Sequence, residues 1–265
     1  MGVLNVTPDS FSDGGLYFDS ERAVEHAFRL VEDGADILDI GGESTRPGSE
    51  AIPPEEELRR TIPVVEAVAK KVRVPVSIDT CKADVARRAL DAGASLVNDI
   101  SGLRFDPEMP RVVAEYQVPV VVMHIRGNPR DMQRAPSYEA LIPEIMDYLR
   151  ISMRLADECG IREEHIIIDP GIGFGKTFDH NLEIIGNLGE FTLLGRPVAI
   201  GVSRKAFIGK VLGGAPAAER LEGTAAAVAI AVFNGANIVR VHDVKEMAKV
   251  AKVADAIKKG SGLES

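Results

Sequence analysis

Eight short apolar runs recur along the chain, near residues 2–6, 36–41, 74–79, 95–99, 118–124, 165–169, 197–203 and 237–242, and nearly every one stops abruptly on a polar or charged residue. The clearest are VPVSID, LVND, VVVMH, HIIIDPG, VAIGVSRK and NIVRVHD. A run that is apolar throughout reads as a strand buried on both faces, which is how parallel sheets covered by helices are written. Amphipathic stretches lie between the runs. Ala23, Ala27, Leu30 and Val31 share one helical face while Glu25, Arg29, Glu32 and Asp33 fill the other, with Asp19 or Ser20 as the expected cap and Gly34 as the expected stop. A second helix over 54–71 opens on PPEEE and closes on Lys70 and Lys71, matching the helix dipole at both ends. Further helices are predicted near 82–92, 107–116, 137–160, 178–187, 217–234 and 243–258. Eight strand-then-helix units specify an α/β fold of the (β/α)8 TIM barrel type, and the polar groups at the strand ends mark its active rim. The segments 125–136 and 204–216 read as polar loops on that rim.

The 265 residues, 45% of them hydrophobic, carry no linker that would divide them, so a single domain over 1–265 is expected. A net charge of -9 argues against nucleic acid and anionic membrane as partners, because both demand a basic face. Any phosphate in a substrate must then be met by a local basic cluster. No apolar stretch approaches membrane-spanning length and no secretion signal is legible, so a cytoplasmic protein is expected. Cys81 and Cys159 fall in segments that read as helices; two isolated thiols form no metal-ligand pattern, and both read as reduced structural residues.

The run PGIGFGKT at 170–177 invites comparison with a phosphate loop, but the glycine that opens GxxxxGK[ST] would fall at Pro170. A glycine-rich turn after the sixth strand, where backbone approaches a flat ligand, is the better reading. His26, His165 and His180 are scattered singly. His124 and His242 stand at strand ends.

Seven segments then carry a resemblance: NVTPDSFSDGG at 5–15, DIGGESTRPG at 39–48, SIDT at 77–80, NDISG at 98–102, DPGIGFGK at 169–176, GVSRKAFIG at 201–209 and RVHDV at 240–244. In order and spacing, from Asn5 to about Val244, the chain resembles the dihydropteroate synthases. The resemblance implies a transferase that joins 6-hydroxymethyl-7,8-dihydropterin diphosphate to para-aminobenzoate, giving 7,8-dihydropteroate and diphosphate in folate biosynthesis. It also implies a Mg2+ ion and a homodimer. Members usually carry residues ahead of the first strand, so it further implies a barrel floor with less covering than is usual.

By the same resemblance Asp169 accepts adjacent N–H donors on one edge of the pterin, Asp79 and Asn98 meet its other polar atoms, and Lys205 reaches its carbonyl edge. Phe174 supplies an apolar wall, while Ile100 and Met123 pack on the ring. Ordinary alternatives stand beside these roles: a strand-end turn for Asp169, a helix cap for Asp79, a local turn bond for Asn98, and core packing for the three apolar residues. Arg240 and His242, two apart, share a face and read with Asn5 as a diphosphate site; taken alone, the pair is equally a barrel-lining salt bridge. Thr45 and Arg46 steady the diphosphate, and Phe11, Asp13, Thr45, Arg46, Pro47 and Ser203 surround the aminobenzoate. Asn5 and Asp13 are the implied magnesium ligands, and the implied catalytic set is Lys205, Arg240, His242 and Asp79. Arg204 reads as either a weaker site member or an ion-pair partner. His124, Asp39 and Asp99 are left without a role. Two other readings remain open at this point: a methyltetrahydrofolate-binding methyltransferase domain and a non-catalytic pterin-binding protein.

Overall fold

The computed structural model describes residues 1–7 and 16–260. Eight parallel strands run in chain order: β1 (Gly2–Asn5), β2 (Leu38–Gly41), β3 (Val76–Asp79), β4 (Leu96–Asp99), β5 (Val120–Met123), β6 (Ile166–Asp169), β7 (Ala199–Ile200) and β8 (Ile238–Val239). The first six form one sheet in sequential order and the last two pair with each other. Parallel bridges between Ile168 and Val198 and between Gly2 and Val241 join the two pieces at both seams. The Val3 N–H donates to the Val241 carbonyl at 3.0 Å, so the ring closes. This is the expected (β/α)8 barrel.

The helices are α1 (Leu16–Glu32), α2 (Pro54–Ala69), α3 (Ala83–Asp91), α4 (Met109–Tyr116), α5 (Leu141–Glu158), α6 (Phe178–Gly186), α7 (Ala206–Val211), α8 (Leu221–Phe233) and α9 (Val244–Lys259). Helix α1 buries Ala23, Ala27 and Leu30 and stops where Gly34 takes a left-handed φ of 99°. It starts earlier than expected, so Asp19 and Ser20 lie within it. The segment 204–216 is not all loop: it contains α7, whose Phe207 and Ile208 are buried. Six residues are fewer than two turns, too short for a 3.6-residue period to register in sequence. Cys81 sits in the turn between β3 and α3 rather than in a helix.

Two apolar layers hold the barrel. The larger fills the space between strands and helices and includes Leu4, Leu38, Ile40, Ile78, Val97, Val122, Ile168 and Ile200. The smaller gathers Leu96, Val121, Ile167 and Ala199 inside the ring, near the amino ends of their strands, with Met1 and Ile238 packed against them. The Met1 ammonium donates to the Val239 carbonyl at 3.0 Å, so this residue itself covers part of the barrel floor.

Candidate active site

Side chains alternate across a strand, and residues in parallel register point to the same side. Asn5, Gly41, Asp79 and Asn98 stand in one register row across β1 to β4. Gly41 leaves space in that row, because a Cβ there would lie 3.3 Å from that of Asp79. Asp39, two residues before Gly41, faces the same interior. Asp99 is one residue past Asn98 and therefore faces the other way, where it accepts from the N–H groups of Ser101 at 2.7 Å and Leu103 at 2.9 Å. It braces the loop after β4. Asp39 accepts from the Asn98 amide at 3.0 Å and from Arg240 Nε at 2.5 Å. Asp39 thus belongs to the site, tying β2, β4 and β8 together.

The strand β8 ends at Val239, so Arg240 and His242 follow it rather than lie in it. The guanidinium of Arg240 also donates from Nη2 to Asp79 at 2.7 Å. The salt-bridge alternative is therefore realised: two buried carboxylates grip Arg240 and, against the opposing effect of burial, raise its affinity for its proton. Burial pushes the Asp79 carboxyl up, and Arg240 pulls it back.

Asp169 ends β6 opposite Met123 of β5 and accepts the Gly171 N–H at 2.7 Å. Burial raises its pKa to about 6, with that N–H and Lys205 working the other way. Lys205 follows β7, and burial together with Arg240 lowers its pKa to about 8. Its Nζ lies 4.5 Å from the centre of the Phe174 ring. Ile100 and Met123 are buried in a small apolar cluster with Ile125 and Met132, against which Phe174 and Cys81 pack. The polar segment after β5 thus sends Met132 inward. Burial and Asp99 push the Cys81 thiol far above the usual range, which disfavours the thiolate.

These groups line one connected space. A narrow cleft of about 50 Å3 is bounded by Asp79, Asn98, Ile100, Met123, Asp169, Phe174 and Lys205. It shares Thr45, Phe174, Ser203, Lys205, Arg240 and His242 with a wider cavity of about 670 Å3, which adds Asn5, Arg46, Pro47 and Lys176. Phe11 and Asp13 lie outside the described residues. All the other sequence-derived candidates reach this one space.

Arg204 is the ion-pair partner of Asp243, and its backbone is left-handed at φ 57°. The Arg204 N–H donates to Thr224 Oγ1 at 3.0 Å, and Arg220 holds its carbonyl at 2.9 Å, so surrounding contacts stabilise a turn that few non-glycine residues adopt. That turn sets Ser203 and Lys205 on the rim. Burial and then Arg240 lower the His242 pKa to about 4, leaving a neutral imidazole.

Sequence reasoning passed over Lys176 and left His124 without a role. Lys176 is buried, with Nζ 2.7 Å from His124 Nδ1 and 3.0 Å from the Phe174 carbonyl. Burial drives the Lys176 ammonium far below its usual range, and burial with Lys176 lowers His124 to about 2. The pair fastens the glycine-rich turn to the end of β5. The GFGK motif contained the signal, but the partner stands 52 residues away.

No helix among the described residues is long and apolar enough to cross a membrane. Residues 1–242 match the model of the pterin binding enzyme family. The dihydropteroate synthase of Synechocystis sp. is 49% identical over 257 residues, which cover 97% of this chain and 89% of that protein. Among solved structures, the dihydropteroate synthase of Clostridium difficile, crystallised in the presence of pteroic acid, superposes with a TM-score of 0.92 at 45% identity, covering 97% of this chain and 95% of that one. That of Xanthomonas albilineans with 4-aminobenzoic acid also gives a TM-score of 0.92, at 44% identity over 99% of this chain and 93% of the other. The chain belongs to the pterin binding enzyme family, among its dihydropteroate synthases.

Proposed function

We propose that this transferase condenses 6-hydroxymethyl-7,8-dihydropterin diphosphate with para-aminobenzoate, releasing diphosphate and 7,8-dihydropteroate. One observation carries the reading: a cleft that holds Asn98 and Asp169 opens, through walls shared at Asp79, Lys205, Arg240 and His242, into a wider cavity that adds Asn5 and Arg46, so the ring-reading set Asp79, Asn98, Asp169 and Lys205 adjoins a second set led by Arg240 and His242. The first set suits a flat heterocycle with several N–H and carbonyl groups, since each buried polar atom left unpaired costs about 1–3 kcal/mol. The second suits an anion within an acidic protein.

Asp169 takes two adjacent ring N–H groups, Asn98 and Asp79 meet the remaining polar edge, and Lys205 donates to the carbonyl side. Phe174, Ile100 and Met123 supply apolar contact with the ring. Arg240, His242, Asn5, Thr45 and Arg46 hold the diphosphate. Thr45, Arg46, Pro47 and Ser203 surround the aminobenzoate. The C–O bond to diphosphate breaks first, and charge left on the pterin methylene is tolerated beside Asp79 and Asp169. The arylamine nitrogen then forms the new bond, with no covalent enzyme adduct. The corrinoid methyl-transfer alternative has no use for the second set.

Magnesium fits this donor set. It favours oxygen ligands and substrate phosphates over an all-protein cage. Asn5 offers an amide oxygen in the cavity with Arg240 and His242, and no group of three or more His, Cys, Asp or Glu among the described residues would hold a metal alone. Held there with diphosphate, such an ion would neutralise charge on the leaving oxygens. Asp13 would complete the site.

A homodimer is supported by an apolar face on α8 and α9, where Ile230, Phe233, Val253 and Ile257 are exposed together. The small soluble substrates suit a cytoplasmic setting. The decisive experiment mixes the chain with both substrates and magnesium and follows diphosphate release; no release refutes the reading. Lys205→Ala and Asp169→Ala should each weaken binding of the pterin diphosphate by calorimetry while leaving the fold intact, and unchanged affinity would remove those residues from the ring site.

A further inference from the structure

We propose that Ser203 is the positioning residue for His242: its hydroxyl fixes the imidazole in the tautomer that carries hydrogen on Nε2, presenting one N–H donor to the diphosphate cavity. The inference deepens the proposed reaction and rests on that reading. The backbone N–H of His242 donates to Ser203 Oγ at 3.2 Å, and the same Oγ lies 3.0 Å from His242 Nδ1. A serine hydroxyl has one hydrogen to give and two lone pairs to receive. If Nδ1 carried the ring hydrogen, Oγ would accept twice and its own hydrogen would have no partner among the described residues, at a site where Ser203 is only 5% exposed. Buried donors are rarely left so. With the hydroxyl donating to Nδ1, the Ser203 hydroxyl and Nδ1 are both satisfied, and Nε2 holds the ring hydrogen as a donor on the wall of the cavity.

The surroundings make the tautomer matter. Arg240, Arg204 and Lys205 face His242 with positive charge and Asp243 with negative, and burial adds to the cationic side, so the ring stays neutral at physiological pH. A neutral imidazole has one donor, and a ring in the wrong tautomer or orientation would offer the diphosphate a lone pair. Ser203 is itself held in place. The Arg204–Asp243 ion pair spans the same two rim segments as the Ser203–His242 contact, and the left-handed turn at Arg204 sets the direction of the residue before it. Ser203, which also stands on the wall where the aminobenzoate is placed, has this second role through His242.

The first test is nitrogen-15 spectroscopy of the unaltered protein labelled at histidine, which does not depend on turnover. His242 should show a bare Nδ1 and a protonated Nε2 at neutral pH; the reverse tautomer overturns the proposal and leaves the synthase reading standing. Ser203→Ala should lower kcat by roughly 5- to 30-fold, the effect expected for one buried hydrogen bond. It should also raise the pH at which His242 titrates, because a bond that favours the neutral ring is gone. Ser203→Thr, which keeps the hydroxyl, should recover activity. In a His242→Ala background, Ser203→Ala should have no further effect on kcat. An equal loss in both backgrounds, or a raised KM for aminobenzoate with kcat retained, would assign Ser203 elsewhere and overturn the inference.

Discussion

Replacing Arg240 by methionine should destabilise the free protein strongly. The guanidinium lies between Asp39, fully buried, and Asp79, 9% exposed, at 2.5 Å and 2.7 Å. Removing one partner of a buried ion pair strands the other charge and costs roughly 3–5 kcal/mol. For a chain of this size each kcal/mol shifts Tm by about 2–4 °C, so a fall of roughly 6–20 °C is expected in calorimetry near neutral pH. The deficit should depend on pH with a defined sign. Burial already raises the folded-state affinity of Asp79 for its proton above the unfolded value, and Arg240 opposes that rise. Without Arg240 the folded carboxyl binds its proton more tightly still. The folded state then loses stability over a wider span as pH rises, so the variant's deficit grows toward alkaline pH and shrinks in acid. Adding Asp79→Asn should recover part of the loss, since an amide needs no counter-charge, and the recovery measures the coupling. A Tm within about 4 °C of the parent, or a deficit that grows in acid, would refute the assignment of Arg240 as the clamp between β2, β3 and β8.

Gly171→Ala should lower both stability and pterin affinity: its φ is +73°, a Cβ there would lie 1.9 Å from the His124 carbonyl oxygen, and the left-handed backbone alone costs about 1–2 kcal/mol. A thermal scan and calorimetric titration check this, and parent-like values in both would show that the turn has room. The pH profile of kcat/KM for the pterin diphosphate should fall below about 6, as Asp169 gains a proton and stops accepting, and above about 8, as Lys205 loses its charge. Lys205→Arg should remove the alkaline limb; a flat profile across both values would exclude these groups from binding. Sedimentation should find the parent as a dimer and Val253→Asp/Ile257→Glu as a monomer, whereas a monomeric parent would exclude the α8 and α9 face as an interface.

How far the site was legible follows from what a strand end can reveal. Asp79, Asn98, Asp169 and Lys205 stood out because each interrupts an apolar run, and the barrel brings all such interruptions to one rim. The grip of Asp39 and Asp79 on Arg240 spans 201 and 161 residues and depends on the closing register between β8 and β1, which no local pattern encodes. Asn98 and Asp99 are adjacent in LVND, and only alternation across β4 decides that the first enters the barrel while the second braces a loop. The electrostatics were equally hidden, and they narrow the choice of ligand. Burial raises Asp169 and lowers Lys205 and His242, moving each toward its neutral form. Asp169 near 6 and Lys205 near 8 still carry their charges at neutral pH, so the deep cleft presents one anionic acceptor and one cationic donor. An opposed pair of that kind suits a neutral polar ring with N–H groups on one edge and a carbonyl on another. The charged part of a substrate is better met by Arg240, which keeps its proton where the cleft and the wider cavity share a wall.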